Sequence, residues 1–299
     1  MLAVFHESVA KSPAGLKTPD GNGRGEGKKS MLEHFSSVNT SVVSVNLGTH
    51  ASIAYATEKQ NPLLPRLFAV VDDIFCIFEG HIENVAVLKQ QYGLNKSANE
   101  VSIIIEAYRT LRDRGPYPAD QVVRDIKGKF AFILFDLSAK STFIAADAEE
   151  SVPFFWGTDS EGNLVFSGDV KIVKKGCGNS FAPFPKACFF TTSKGLQSYE
   201  HPLNELKPIA RVDSKGQVCG SDYKVDRETK KATGMHRVGS AADCIYHPRH
   251  YQQFSTVSTP YLAELTDLTT KIKFWNQADS LYRMRPCSEL DDRCPRAAV

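Results

Sequence analysis

What most constrains this chain is an order. Runs of β-branched and aromatic residues stand on both sides of one strongly amphipathic helical stretch, with no repeating strand–helix alternation. Before that stretch come 41–46 (SVVSVN), 51–56 (ASIAYA), 66–71 (RLFAVV) and 73–80 (DIFCIFEG). After it come 128–136 (GKFAFILFD), 142–147, 153–157, 163–169, 187–193, 195–199 and 217–225. Turn-forming residues separate these runs, which marks them as strands. Within 99–118, Val101, Ile104, Ile105, Tyr108 and Leu111 recur at spacings of three and four and build one apolar helix face. Shorter helices are expected at 83–92 and 118–126. Strands, helices, then strands again predict an α+β protein with antiparallel sheets.

Two regions depart from this pattern. Residues 9–30 are rich in Gly, Pro, Ser and Lys and read as an exposed loop. Within them GNGRGEGKKS is not a phosphate loop, because Asn22 and Lys29 stand where a glycine and a hydroxyl residue are needed. After about residue 229 the strand pattern fades. Only a weak stripe of Leu262, Leu265, Leu268 and Ile272 remains, so 229–299 is expected to be an irregular, poorly ordered tail on a domain spanning 1–228.

Charge and cysteine usage narrow the function. The 36 basic and 34 acidic side chains leave a net charge of +2, which gives no general pull toward nucleic acid or membrane. No apolar run approaches the roughly 20 residues of a membrane span. Seven cysteines without a CxxC pair suggest a reduced protein of the cytoplasm, with the nucleus as a further expected location. Cys244, His247 and His250 have a ligand-like spacing but lack a fourth partner. Neither a metal nor a cofactor is expected.

Composition does not explain the N-terminus. Leu2, Ala3, Val4 and Phe5 form a strand-like apolar run at the first residues, where chains usually fray. Two short motifs also stand out. Tyr92-Gly93-Leu94 reads as a helix stop, with Gly93 supplying the left-handed residue. Leu111-Arg112-Asp113-Arg114 places cations at a helix C-terminus, where the dipole favours them, and Pro116 and Pro118 come next. The patch of Arg112, Asp113 and Arg114 is also a candidate partner surface.

Together with IFCIFEGHIENVAVLKQQYGL, NEVSIIIEAYRTLRDRGPYPA and GKFAFILFD…FIAADAEESVPFFWG, these motifs resemble the plant aluminium-induced, stem-specific proteins. The resemblance runs to GMHRVGSA at 234–241 and leaves 242–299 outside the family pattern. More distantly the same blocks are similar to the glutaminase domain of class II glutamine amidotransferases. That similarity implies a four-layer αββα sandwich of the N-terminal-nucleophile hydrolase type.

It also implies a pocket, and this chain alters each part of it. The amidotransferases use a cysteine directly after the initiator Met, whose freed α-amine helps take the thiol proton. Here that position is Leu2, which has no nucleophilic atom and is bulky enough to leave Met1 in place. The amidotransferase Asn-Gly pair stabilises an oxyanion; the matching pair is Glu79-Gly80, and an ionised Glu accepts but does not donate. The Asp that holds the substrate amine maps to Ala98, beside Asn99. The expected substrate Arg is missing from LGTHASIA, and His81 adjoins the altered pair.

The expected function is therefore non-catalytic: a stress- and growth-responsive plant protein acting through a homodimer, another protein partner or a small molecule. In the small-molecule version, Glu79 selects a cationic or hydrogen-bond-donating ligand. The competing expectation is an amidohydrolase with an unconventional nucleophile, for which Cys177 between Gly176 and Gly178 is the leading candidate.

Overall fold

A computed structural model describes residues 1–18, 28–58, 61–113, 118–214 and 216–230. Arg114, the residues of the Cys244–His250 spacing and the weak helical stripe of the tail lie outside these.

Two antiparallel six-stranded sheets form the centre. The first contains β1 (Leu2–Phe5), β2 (Val42–Leu47), β3 (Ala51–Ala56), β8 (Phe155–Thr158), β9 (Leu164–Ser167) and β10 (Phe181–Pro183), in the order β10-β8-β9-β1-β3-β2. The second contains β4 (Arg66–Val71), β5 (Ile74–Ile82), β6 (Gly128–Asp136), β7 (Ser141–Ala146), β11 (Cys188–Thr191) and β12 (Gly195–Ser198), in the order β12-β11-β7-β6-β5-β4. Helices α1 (Lys28–Val38) and α5 (Val170–Cys177) cover the first sheet; α2 (Val85–Gln91), α3 (Glu100–Asp113) and α4 (Ala119–Asp125) belong with the second. A separate hairpin of β13 (Asn204–Val212) and β14 (Val218–Lys230) completes the described chain.

Three apolar layers hold this together, and strand alternation assigns residues to them. Along β6, Ala131, Ile133 and Phe135 face the other sheet, while Phe130, Phe132 and Leu134 face α3. The inter-sheet layer is dense in rings. Trp156 is fully buried among Phe166, Phe184, Phe190 and Tyr223, with centroids 5.2–6.5 Å apart. The layer order is thus helix, sheet, sheet, helix, as the αββα expectation requires.

Several elements depart from the sequence expectations. The sequence predicts a loop throughout 9–30, yet α1 begins at Lys28, with Met31 and Phe35 one turn apart and buried. Helix α5 carries β-branched Val170, Ile172 and Val173, which favour strands in isolation. It forms because Asp169 caps it, accepting from the Lys171 N–H at 2.8 Å, and because Ile172, Val173 and Cys177 pack onto the sheet. β13 contains Pro208 and several exposed positions, so neither alternation nor propensity marks it. Its pairing with β14 fixes it.

Candidate functional site

The opening run is a central strand. β1 pairs with β3 on one side and β9 on the other, with Leu2 opposite both Ala54 and Ser167. The chain end is anchored as well. The Met1 carbonyl accepts from Ser167 Oγ at 2.8 Å and from the Gly168 N–H at 3.2 Å.

Register then decides which side chain faces where. Met1, Ala3 and Phe5 point into the inter-sheet layer. Leu2 and Val4 point the other way, onto Met31, Phe35, Ile172 and Val173 of the covering helices. Leu2 is fully buried there. It does not line the inter-sheet end where the sequence comparison placed it; Met1 stands at that end instead.

Opposite Met1 lies a charged pair. Glu79 on β5 is the register partner of Arg66 on β4. Arg66 grips it through both ends of the guanidinium: Nε to Oε2 at 2.8 Å and Nη2 to Oε1 at 2.9 Å. Its Nη1 donates to the Ala56 carbonyl at 3.0 Å. The side chains are only 13% and 14% exposed, so this is a largely desolvated bidentate pair. Gly168 brings the parts together. A Cβ built there would lie 3.9 Å from Glu79 Oε2 and 4.0 Å from Met1 Cγ.

This surrounding acts on the Met1 α-amine. Burial, and then the Arg66 charge, lower its pKa to about 5; Glu79 and Asp169 pull in the opposite direction without prevailing.

Gly80 shows how the strand accommodates this corner. Its φ is +135°, and a Cβ there would sit 2.0 Å from the Lys129 carbonyl oxygen, so only glycine fits. Its N–H donates to the Pro65 carbonyl at 3.0 Å. The backbone N–H next to Glu79 is thus committed within the chain.

The remaining candidate residues lie elsewhere. His81 is exposed and faces Glu100, with Nδ1 and Oε1 3.6 Å apart. The Ala98 N–H bonds locally to the Asn95 carbonyl. Asn99 caps α3, its Oδ1 accepting from the Ser102 N–H at 3.1 Å and from Ser102 Oγ at 2.8 Å. Sequence reasoning looks for a cation near 48–55 and misses Arg66. A charge at the head of an otherwise apolar run, RLFAVV, is the available signal.

Both motifs have defined structural work. Gly93, at φ +66°, ends α2, and the Leu94 N–H returns to the Lys89 carbonyl at 2.8 Å. Arg112 does more than meet a helix dipole. It donates to Asp113 and, through Nη1, to Asp136 Oδ2 at 2.9 Å, tying α3 to β6. Asp136 is fully buried and also accepts from Tyr108 Oη, Ser138 Oγ and the Ala139 N–H. Burial opposes its ionisation, but these bonds together hold its carboxyl below the usual range.

The cysteine alternatives lose support. Cys177 packs in the helix-facing core rather than in a turn, and burial pushes its thiol strongly upward, away from the nucleophilic thiolate. Cys76 and Cys188 are buried and shifted the same way. Among the described residues, no cluster of His, Cys, Asp and Glu is placed to hold a metal, and no helix is long and apolar enough to cross a membrane.

Known proteins match this arrangement at two levels. The sequence model described as "Aluminium induced protein" matches residues 2–225, and the chain belongs to that family. The stem-specific protein TSJT1 of Nicotiana tabacum is 42% identical over 148 residues, covering 48% of this chain and 99% of that protein. The glutamine-hydrolysing asparagine synthetase B of Escherichia coli (strain K12) is 25% identical over 187 residues, covering 61% of this chain but only 29% of the synthetase. Among solved structures, the glutamine phosphoribosylpyrophosphate amidotransferase of B. subtilis aligns with a TM-score of 0.42 at 12% identity, over 68% of this chain and 50% of that one.

Proposed function

We propose that this aluminium-induced family protein is a non-catalytic binding protein built on a glutaminase-like scaffold. The observation that carries the reading is the Arg66–Glu79 pair beside Met1. In the related glutamine-hydrolysing enzymes, as the sequence resemblance implies, this corner would need a nucleophile and hydrogen-bond donors. Here it presents an accepting carboxylate already neutralised by an arginine. The Gly80 N–H is held by Pro65, and position 2 is a hydrocarbon turned toward the helices. Loss of a single oxyanion donor already costs about 2.7–4 kcal/mol of barrier.

The same pair argues against Glu79 as the selector of a cationic ligand, since its charge is met from within. Binding at other surfaces, by a second copy, another protein or a small molecule, fits the fold better. A role in plant stress and growth responses, in the cytoplasm and nucleus, accompanies this proposal.

The test is ammonia release from glutamine. The purified protein is expected to show none above the buffer rate. Leu2→Cys alone is expected to remain inactive, because a side chain at position 2 faces the covering helices, away from the corner beside Met1. Ammonia release by the unmodified protein that disappears on substitution at Glu79 or Arg66 would overturn the proposal.

A further inference from the structure

An open surface depression of about 640 Å³ lies where the end of β5 meets α2 and α3. That volume suits a small organic ligand of several functional groups. Two chain segments wall it. One is the end of β5 and the start of α3, carrying His81, Glu83 and Glu100. The other runs from the end of α2 through the Tyr92-Gly93-Leu94 turn to residue 96, carrying Lys89, Leu94 and Lys96. Ile82, Val85 and Ala86 add apolar lining.

The turn shapes this depression. Gly93 reverses the chain at a positive φ, the Leu94 N–H closes onto the Lys89 carbonyl, and Lys89 Nζ donates to the Lys96 carbonyl at 2.8 Å. The backbone of 94–96 is thereby folded back onto the end of α2, with Leu94 half-buried and Lys96 exposed. The other wall is anchored too: Glu100 begins a well-packed helix, and its side chain is only 20% exposed. The depression therefore combines apolar lining with the carboxylates of Glu83 and Glu100, the latter 3.6 Å from His81 Nδ1, and the ammonium of Lys96, that of Lys89 being held by the Lys96 carbonyl.

We propose that this depression binds zwitterionic molecules with an apolar body, of the size of a dipeptide with aliphatic side chains. The ligand ammonium would meet Glu100 and Glu83, its carboxylate would meet Lys96, and its side chains would lie against Ile82, Val85 and Leu94. Charge complementarity at both ends would set orientation and reject molecules that carry only one charge. The inference supplies a ligand class for the binding role proposed above, but it uses none of the residues around Met1.

The test is titration of the full chain with Leu-Leu, N-acetyl-Leu-Leu and Leu-Leu amide, monitored by calorimetry and by amide NMR shifts. Saturable binding of Leu-Leu is expected, with shifts confined to 81–100 and affinity reduced at least tenfold by capping either end. Glu100→Gln should weaken Leu-Leu but leave the weaker N-acetylated peptide unchanged; Lys96→Ala should do the same for the amide. Matching melting temperatures would show that both variants fold. No saturable binding, equal affinity for capped and free peptides, or indifference to both substitutions would overturn the inference. Ammonia assays on the same samples separate this from the non-catalytic reading, since either can fail while the other stands.

Discussion

Two arginine–carboxylate networks stand on the second sheet, and they differ in what surrounds the carboxylate. Asp136 is wholly buried and collects donors from a helix, a tyrosine, a serine and a backbone amide. Glu79 lies at the sheet's other end beside a buried amine and is held by a bidentate arginine on the neighbouring strand. The first network joins layers. The second joins two adjacent strands that are already paired, beside the buried Met1 amine. A saturated buried carboxylate therefore reads as a structural staple between layers, while the one beside Met1 is satisfied locally by its neighbouring strand.

The comparison is open to attack at its strongest point first. Asp136→Ala should take the acceptor from the buried Tyr108 hydroxyl, from Ser138 Oγ and from the Ala139 N–H, while Arg112 keeps Asp113, and cost about 2–3 kcal/mol in urea unfolding. A loss below about 1 kcal/mol would remove the distinction between the two networks. A smaller effect is expected from replacing the other pair as a unit. Arg66→Met with Glu79→Leu keeps the volume and leaves no unpaired charge, so stability should change by less than about 1.5 kcal/mol. Either single substitution should cost more than the double one, and a double variant that is additive would show that the two side chains act independently.

A further expected effect separates the networks by pH. The Met1 amine has its pKa lowered to about 5 in the folded state, against an ordinary value of 8.0. Between those values the unfolded chain binds more protons, so stability should rise as pH goes from 5 to 8. Asp136 has a depressed pKa, so its contribution is present above the ordinary carboxylate range and is lost only as pH falls through its lowered folded value. Asp136→Asn should thus keep the slope between pH 5 and 8, and acetylation of the Met1 amine should abolish it. Unfolding midpoints collected across pH 3–8 would check both.

Much of the fold was legible residue by residue. The strands at 51–56, 66–71 and 128–136 begin and end where the apolar runs do, since a strand buried on one or both faces writes its period into the sequence. The amphipathic stripe of α3 was equally clear. Helices α1 and α5 and strand β13 were not, because each is stabilised by what it packs or pairs against rather than by its own propensities. The candidate site divides similarly. That Leu2 is a hydrocarbon and Glu79 an acceptor could be read from residue identity, but the Arg66 partnership could not, and Ala98 and Asn99 were assigned by position alone.

By itself the sequence determined the order of strands and helices, and it determined that position 2 carries no atom able to attack a carbonyl, since that depends on side-chain identity alone. Only the tertiary structure decided that Leu2 faces the helices, that Arg66 reaches Glu79, and that Pro65 takes the Gly80 N–H. Those three facts depend on strand register. Register is set by contacts between residues distant in the chain, and a shift of one position would turn every side chain to the opposite face.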